Sequence, residues 1–210
     1  MEGVAVTQTR RLHKGFTLVE LMISIVVISI ALALAMPSYQ KFVEKRELTA
    51  AAEDITNFIA VAQSMSIKRN QPVNISWDGS GSHSSNFCIG LSEGTTGCDC
   101  WETNAADKDY CAVGDVPYVL QKTNFTRISN EFLHFRPSDG NFSFDPVRGN
   151  LVGWSDSEVV DGDWLFYMHS NEGSGSSRYF GLEIKLWVTG KTEICFQDYR
   201  RMAISAYPDC

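Results

Sequence analysis

Glu20 is the only charged residue between Phe16 and Met36, a run of 21 residues that is otherwise apolar apart from Thr17, Ser24 and Ser29. A carboxylate at that depth in a bilayer costs about 2.5 to 3.5 kcal/mol on insertion scales, and such groups are kept where a partner compensates them. The chemistry open to Glu20 is pairing with a cation.

Six cysteines form a second set: Cys88, Cys98, Cys100, Cys111, Cys195 and Cys210. They are even in number and all lie beyond the apolar run, so the expected chemistry is disulfide formation in an oxidising compartment. Cys195 and Cys210 close a 16-residue loop and are expected to form one bridge. The other four read as a nested set whose pairing stays open, although bridging Cys98 to Cys100 would strain disulfide geometry. A zinc site from the same four lacks paired C-x-x-C spacing.

Other constellations are weaker. Asp156, Glu158, Asp161 and Asp163 crowd one segment and could offer oxygen ligands to Ca²⁺, but their spacing fits no EF-hand and a polar turn is the plainer reading. Lys191, Arg200 and Arg201 are weak candidates for phosphate contacts. His13, His83, His134 and His169 show no metal-ligand spacing. Asn74-Ile75-Ser76, Asn124-Phe125-Thr126 and Asn141-Phe142-Ser143 match a glycosylation acceptor pattern short enough to arise by chance. No local Ser-His-Asp motif, phosphate loop or acid pair is present, so no enzyme, metal or cofactor is expected.

The elements that must position these residues begin with the apolar run. As a helix it would be roughly 32 Å long, enough to cross a bilayer core. Arg10, Arg11 and Lys14 precede it with no acid after Glu2, which places the N-terminus in the cytoplasm and the C-terminal bulk outside. An ordinary secretory signal has a shorter apolar region with small residues after it, whereas here Gly15 stands before a longer one. After Pro37 the helix is expected to resume to about Arg69, burying Phe42, Leu48, Ala51, Ala52, Ile55, Phe58, Ile59, Ala62 and Met65. Lys45, Glu53, Asp54, Asn57 and Gln63 form its polar face.

The remainder reads as strands between glycine and polar clusters. Val73, Ile75 and Trp77 alternate with polar neighbours. Further strands are expected at Phe87 to Leu91, Tyr118 to Gln121, Phe132 to Phe135, Asn141 to Phe144, Trp164 to His169, Tyr179 to Trp187 and Glu193 to Phe196. Helix then sheet, without a solenoid-length repeat, gives an α+β class. From Lys45 onward there are 14 Lys plus Arg and 22 Asp plus Glu, a net of −8, which disfavours a general role on nucleic acid or an anionic lipid surface.

Lys14-Gly15-Phe16-Thr17-Leu18-Val19-Glu20 resembles the class III leader of type IV prepilins and type II secretion pseudopilins. The resemblance implies removal of residues 1–15 by a membrane prepilin peptidase that cuts after Gly15 and methylates the new amine of Phe16. It also implies a subunit-assembly role for Glu20, whose carboxylate would pair with the Phe16 amine of a neighbouring subunit and fix one axial register. The layout is then a leader at 1–15, a membrane or filament-core helix at 16–36, an amphipathic continuation at 37–70, and an exported β-rich domain at 71–210. The fold implied is pilin-like, one long helix packed on an antiparallel sheet.

A second, scattered likeness narrows the group. Ala62 to Val73, with Ser64, Lys68-Arg69-Asn70 and Pro72-Val73, resembles the helix end and first strand of the GspH and FimT/FimU group. Phe135-Arg136-Pro137-Ser138-Asp139-Gly140 is similar to its mid-domain turn, and Leu186 to Cys195, with Gly190, to its last hairpin. That likeness implies a minor pilin at or near the tip of a type IV pilus, helping to start its assembly. The alternatives are a GspH-like pseudopilin of a type II secretion system and a FimT-like DNA-binding pilin. For the last, the basic Gly-Arg-x-Arg hairpin motif is here Gly190-Lys191-Thr192-Glu193, with a glutamate in place of the second arginine. Expected partners are other minor and major pilins, an inner-membrane pilus assembly platform and a prepilin peptidase, with DNA disfavoured. Expected location is the bacterial inner membrane with a periplasmic domain, then the extracellular pilus.

Overall fold

In a computed structural model the chain is described at residues 16–78, 87–122, 128–131, 141–152, 164–170, 180–196, 204 and 206–210. It divides into two compact units, Met1–Lys41 and Phe42–Cys210. One helix, α1 (Leu18–Arg69), contributes to both and runs on through Pro37.

Both ends of α1 are written locally. The Glu20 amide donates to the Thr17 hydroxyl at 3.2 Å, so Thr17 caps the first turn. At the other end Asn70 adopts a left-handed φ of 51°. Its amide bonds back to the Ile67 carbonyl and that of Gln71 to the Ser66 carbonyl, a Schellman stop, with Pro72 next. Lys68 and Arg69 sit in the last turn, where cations complement the helix dipole.

The described residues of the second unit contain eleven strands: β1 (Val73–Asp78), β2 (Phe87–Glu93), β3 (Ala112–Val113), β4 (Val116–Pro117), β5 (Val119–Lys122), β6 (Ile128–Glu131), β7 (Asn141–Phe144), β8 (Leu151–Val152), β9 (Trp164–Ser170), β10 (Gly181–Leu186) and β11 (Thr192–Cys195). They form an antiparallel five-stranded sheet ordered β5-β2-β1-β7-β8, an antiparallel four-stranded sheet ordered β11-β10-β9-β6, and the β3-β4 hairpin. The two larger sheets meet where the Leu151 amide donates to the Val188 carbonyl at 2.9 Å. The α+β expectation holds.

Leu48, Ala51, Ala52, Ile55, Ile59 and Ala62 recur three or four residues apart and are buried, so within this unit one stripe of α1 faces the core. Against it stand the alternate residues of the first sheet, Val73, Ile75, Phe87, Ile89, Leu91, Phe142 and Phe144. Burying each large apolar side chain contributes about 1.5 to 3 kcal/mol, so this layer dominates the unit's stability. Phe42 departs from the expected stripe: it is 53% exposed, with the Arg46 guanidinium 5.2 Å above its ring. Phe58 and Met65 are only partly buried.

The opposite face of the same sheet is polar and yet closed. Asn74, Ser76 and Ser143 are buried. The Asn74 amide donates to the Ser143 hydroxyl (3.0 Å) and the Thr95 carbonyl (3.2 Å), Ser76 donates to the Asn74 side-chain oxygen (3.0 Å), and the Cys98 amide donates to Ser76 (2.9 Å). The cysteine-rich segment therefore folds over the back of the sheet on a satisfied hydrogen-bond network. The polar positions of β1, which alternation reads as solvent-facing, lie beneath it.

Other departures are local. The β3-β4 hairpin and β8 stand where no strand is expected. A strand is found at Ile128–Glu131, whereas the expected Phe132 to Phe135 strand lies outside the described residues.

Candidate functional site

From Phe16 to Met36 every large apolar side chain is exposed within its own unit, from 56% at Val26 to 80% at Phe16. A continuous apolar surface of that size on a folded chain marks a membrane or protein contact. The 18-residue window has a mean hydropathy of 2.7 and none of it is buried, so α1 is long and apolar enough to span a bilayer. Glu20 is the one carboxylate on this surface and stands in the first helical turn, where the dipole favours a negative charge. The Ser24 and Ser29 hydroxyls donate back to the Glu20 and Val26 carbonyls at 2.7 and 2.8 Å, which hides the remaining polar groups from an apolar environment. Phe16 lies two residues before α1; Gly15 lies outside the described residues.

The cysteines are joined as Cys88–Cys100, Cys98–Cys111 and Cys195–Cys210, with Cα separations of 5.8, 5.2 and 5.0 Å. The first two interleave rather than nest, and they pack around Gly90, where a Cβ would collide with the Cys111 sulfur. That leaves no thiolate for zinc among these residues. Cys195–Cys210 ties the chain end to β11, where the Phe196 amide donates to the Pro208 carbonyl (2.9 Å) and the Cys210 amide to the Phe196 carbonyl (2.8 Å).

Glu183 carries no motif and was not legible as special in the sequence. It is fully buried on β10 opposite Cys195, its carboxylate within 4.8 Å of the Cys195 and Cys210 sulfurs. Among the described residues this is the one His, Cys, Asp and Glu grouping of metal-site size, and its sulfurs are spent in the bridge.

Of the basic candidates only Lys191 lies among the described residues. Lys191, in the β10-β11 turn, pairs with Glu193 at 3.7 Å, so the glutamate at the second motif position offsets the remaining cation. Arg200 and Arg201 lie outside the described residues, as do Asp156, Glu158, Asp161 and Asp163. Asn74 is buried and cannot accept a glycan in this fold.

Sequence also left Gln63 on a polar helix face. Its amide donates to the Gly149 carbonyl (2.8 Å) and the Thr189 carbonyl (3.1 Å), so it clasps the β7-β8 and β10-β11 turns to α1. Gly190, at φ 80°, admits this contact because a Cβ there would collide with the Gln63 amide.

Residues 10–36 match the family model of the prokaryotic N-terminal methylation motif. Curated relatives share the N-terminal part. A fimbrial protein of Pseudomonas aeruginosa is 38% identical over 52 residues, covering 25% of this chain and 34% of that protein. Fimbrial protein EcpC of Eikenella corrodens is 45% identical over 42 residues, covering 20% and 28%, and the type IV major alpha-pilin of Moraxella bovis is 44% identical over 43, covering 20% and 27%. The chain spans about a third of the length of the curated relatives it matches. A crystal structure of the Pseudomonas aeruginosa type IV minor pilin FimU aligns with a TM-score of 0.42 at 13% identity, covering 74% of this chain and 92% of that one. The N-terminal segment thus carries the prokaryotic N-terminal methylation motif and is similar to that of these fimbrial proteins and of the type IV major alpha-pilin.

Proposed function

We propose that the chain is a minor pilin subunit, processed between Gly15 and Phe16 and built into a type IV pilus at or near its tip, where it helps to start assembly. The observation that carries the reading is Glu20 in the first turn of α1, on an apolar run to Met36 whose large side chains are all exposed, in a chain whose second unit has its own core and three disulfides. An isolated carboxylate there is costly in lipid, and a cationic amine at the N-terminus of a neighbouring helix offsets it. Other minor and major pilins, the inner-membrane assembly platform and the prepilin peptidase are the partners this route requires. Before assembly the subunit sits in the inner membrane with its second unit in the periplasm. Disulfides suit an extracellular tip, because covalent ties resist unfolding outside the cell.

A pseudopilin of a type II secretion system uses the same helix and the same Glu20. Deletion of the gene, with separate assays of surface pili, secreted hydrolases and DNA uptake, separates the readings. Loss of pili with normal secretion supports the proposal, and loss of secretion with normal piliation overturns it. The Lys191–Glu193 pair weighs against DNA uptake, since phosphate binding needs cations that are not already compensated.

A further inference from the structure

The C-terminal end of α1 carries a surface that the helix-core reading does not use. Ile67 is 50% exposed and Val147, at the tip of the β7-β8 turn, is 77% exposed. Lys68 and Arg148 flank them and are exposed as well. The turn is held against the helix twice: by Gln63 on the Gly149 carbonyl, and by Gly149 itself, where a Cβ would stand 3.0 Å from Ile67. Ile67 thus lies against the turn that carries Val147 and Arg148, with Lys68 next to it in the last turn of the helix.

We infer that this corner, Ile67, Lys68, Val147 and Arg148, is a docking site for an acidic segment of a neighbouring filament subunit. The inference rests on the filament reading and names the contact that reading leaves open. Charge supports it. In the stretch from Lys45 onward, of net charge −8, neither Lys68 nor Arg148 forms an ion pair among the described residues. Asp145, the acid in the same turn, accepts the Val147 amide at 2.8 Å and forms no ion pair among the described residues. Shape supports it too. An open groove of about 550 Å³ leads along α1 from Lys68, lined by Asn57, Ala60, Val61, Ser64 and Met65, where small side chains let another chain come close.

The partner chemistry follows: carboxylates for the two cations and an apolar tip for Val147 and Ile67. This chain displays a segment of that kind itself. The loop between Asp99 and Asp109, tied by both interleaved disulfides, exposes Asp99 and Asp107 beside Trp101, while Asp109 pairs with Lys108 at 3.6 Å. Because the basic-apolar corner and the acidic-aromatic loop are different patches, a contact between them on two subunits is heterologous rather than a closed two-fold. Nucleic acid fits less well, because two exposed aliphatic side chains at the centre contribute nothing to phosphate binding.

The test places a photo-cross-linking amino acid at Val147 of the full chain in piliated cells and maps the products by peptide mass spectrometry. The expected product joins Val147 to a carboxylate-rich segment of a filament subunit, and its yield falls at least about fivefold in Lys68→Glu/Arg148→Glu. The same double variant should keep its disulfides and melting temperature, since both side chains are exposed. Products with DNA, lipid or an uncharged segment, or a yield unchanged by charge reversal, overturn the inference. If the chain is found in filaments and Val147 cross-links elsewhere, only the docking site fails. If the unmodified chain never enters filaments, the filament reading fails with it.

Discussion

The Tyr207 hydroxyl donates a 3.0 Å hydrogen bond to the Glu53 carboxylate, linking the end of the chain to the middle of α1 across 154 residues of sequence. The Cys195–Cys210 bridge and the Phe196–Pro208 backbone bond hold the short terminal segment that makes this contact possible. Lys185 adds a bond to the Cys210 carbonyl at 3.2 Å. The terminal residues are thereby part of the second unit's packing.

The tyrosine gives a pH signature. Its pKa is raised from 10.0 to about 12, first by burial, then by donating to Glu53 and by the charge of that carboxylate. A raised pKa favours the neutral phenol in the folded state, so this contribution is complete below pH 10 and is lost as pH rises from about 10 through 12. Urea melts between pH 8 and 11.5 should show a steeper alkaline loss of stability for the unmodified chain than for Tyr207→Phe, with the two converging at the alkaline end. Parallel curves would show that the bond to Glu53 does not form.

Gln63 and Gly190 should behave as one unit. Gln63→Ala removes two hydrogen bonds and is expected to cost about 1 to 2 kcal/mol. Gly190→Ala combines a positive φ with a collision against the Gln63 amide, for about 1 to 3 kcal/mol. The double variant should cost less than the sum, because the collision partner has gone. Chemical denaturation of the four chains in one cycle checks this, and strict additivity would separate the turn from the helix.

On the back of the first sheet, Asn74→Ala should cost about 1 to 3 kcal/mol by stranding Ser76 and Ser143, whereas removing either interleaved disulfide should cost about 2 to 4. Amide exchange localises the effect. In both variants protection should fall first in residues 94–111 and later in β1 and β2.

How much of this was legible follows from what each signal reports. The span of α1 shows in the sequence because its apolar run, its three-and-four spacing and the Asn70-Gln71-Pro72 stop are all local. Strands β1, β2 and β7 show because Val73, Ile75, Phe87, Phe142 and their neighbours face the helix in a period of two. The roles of Asn74 and Ser76 do not show, because alternation treats any polar residue as solvated while these are buried by a loop tied down by disulfides. Disulfide pairing, the reach of Gln63 across 86 and 126 residues, and the burial of Glu183 depend on tertiary placement. No local pattern encodes them. Phe42 misleads for the converse reason: it keeps the helical spacing but is exposed, under Arg46.

Glu20 carries the account. The direct measurement is Glu20→Ala in the native cell, reading leader cleavage by the mass of the membrane-bound chain and incorporation by its recovery in sheared pili. The account predicts a chain processed to Phe16 that remains in the membrane and is absent from pili. Normal recovery of the processed variant in pili would contradict it.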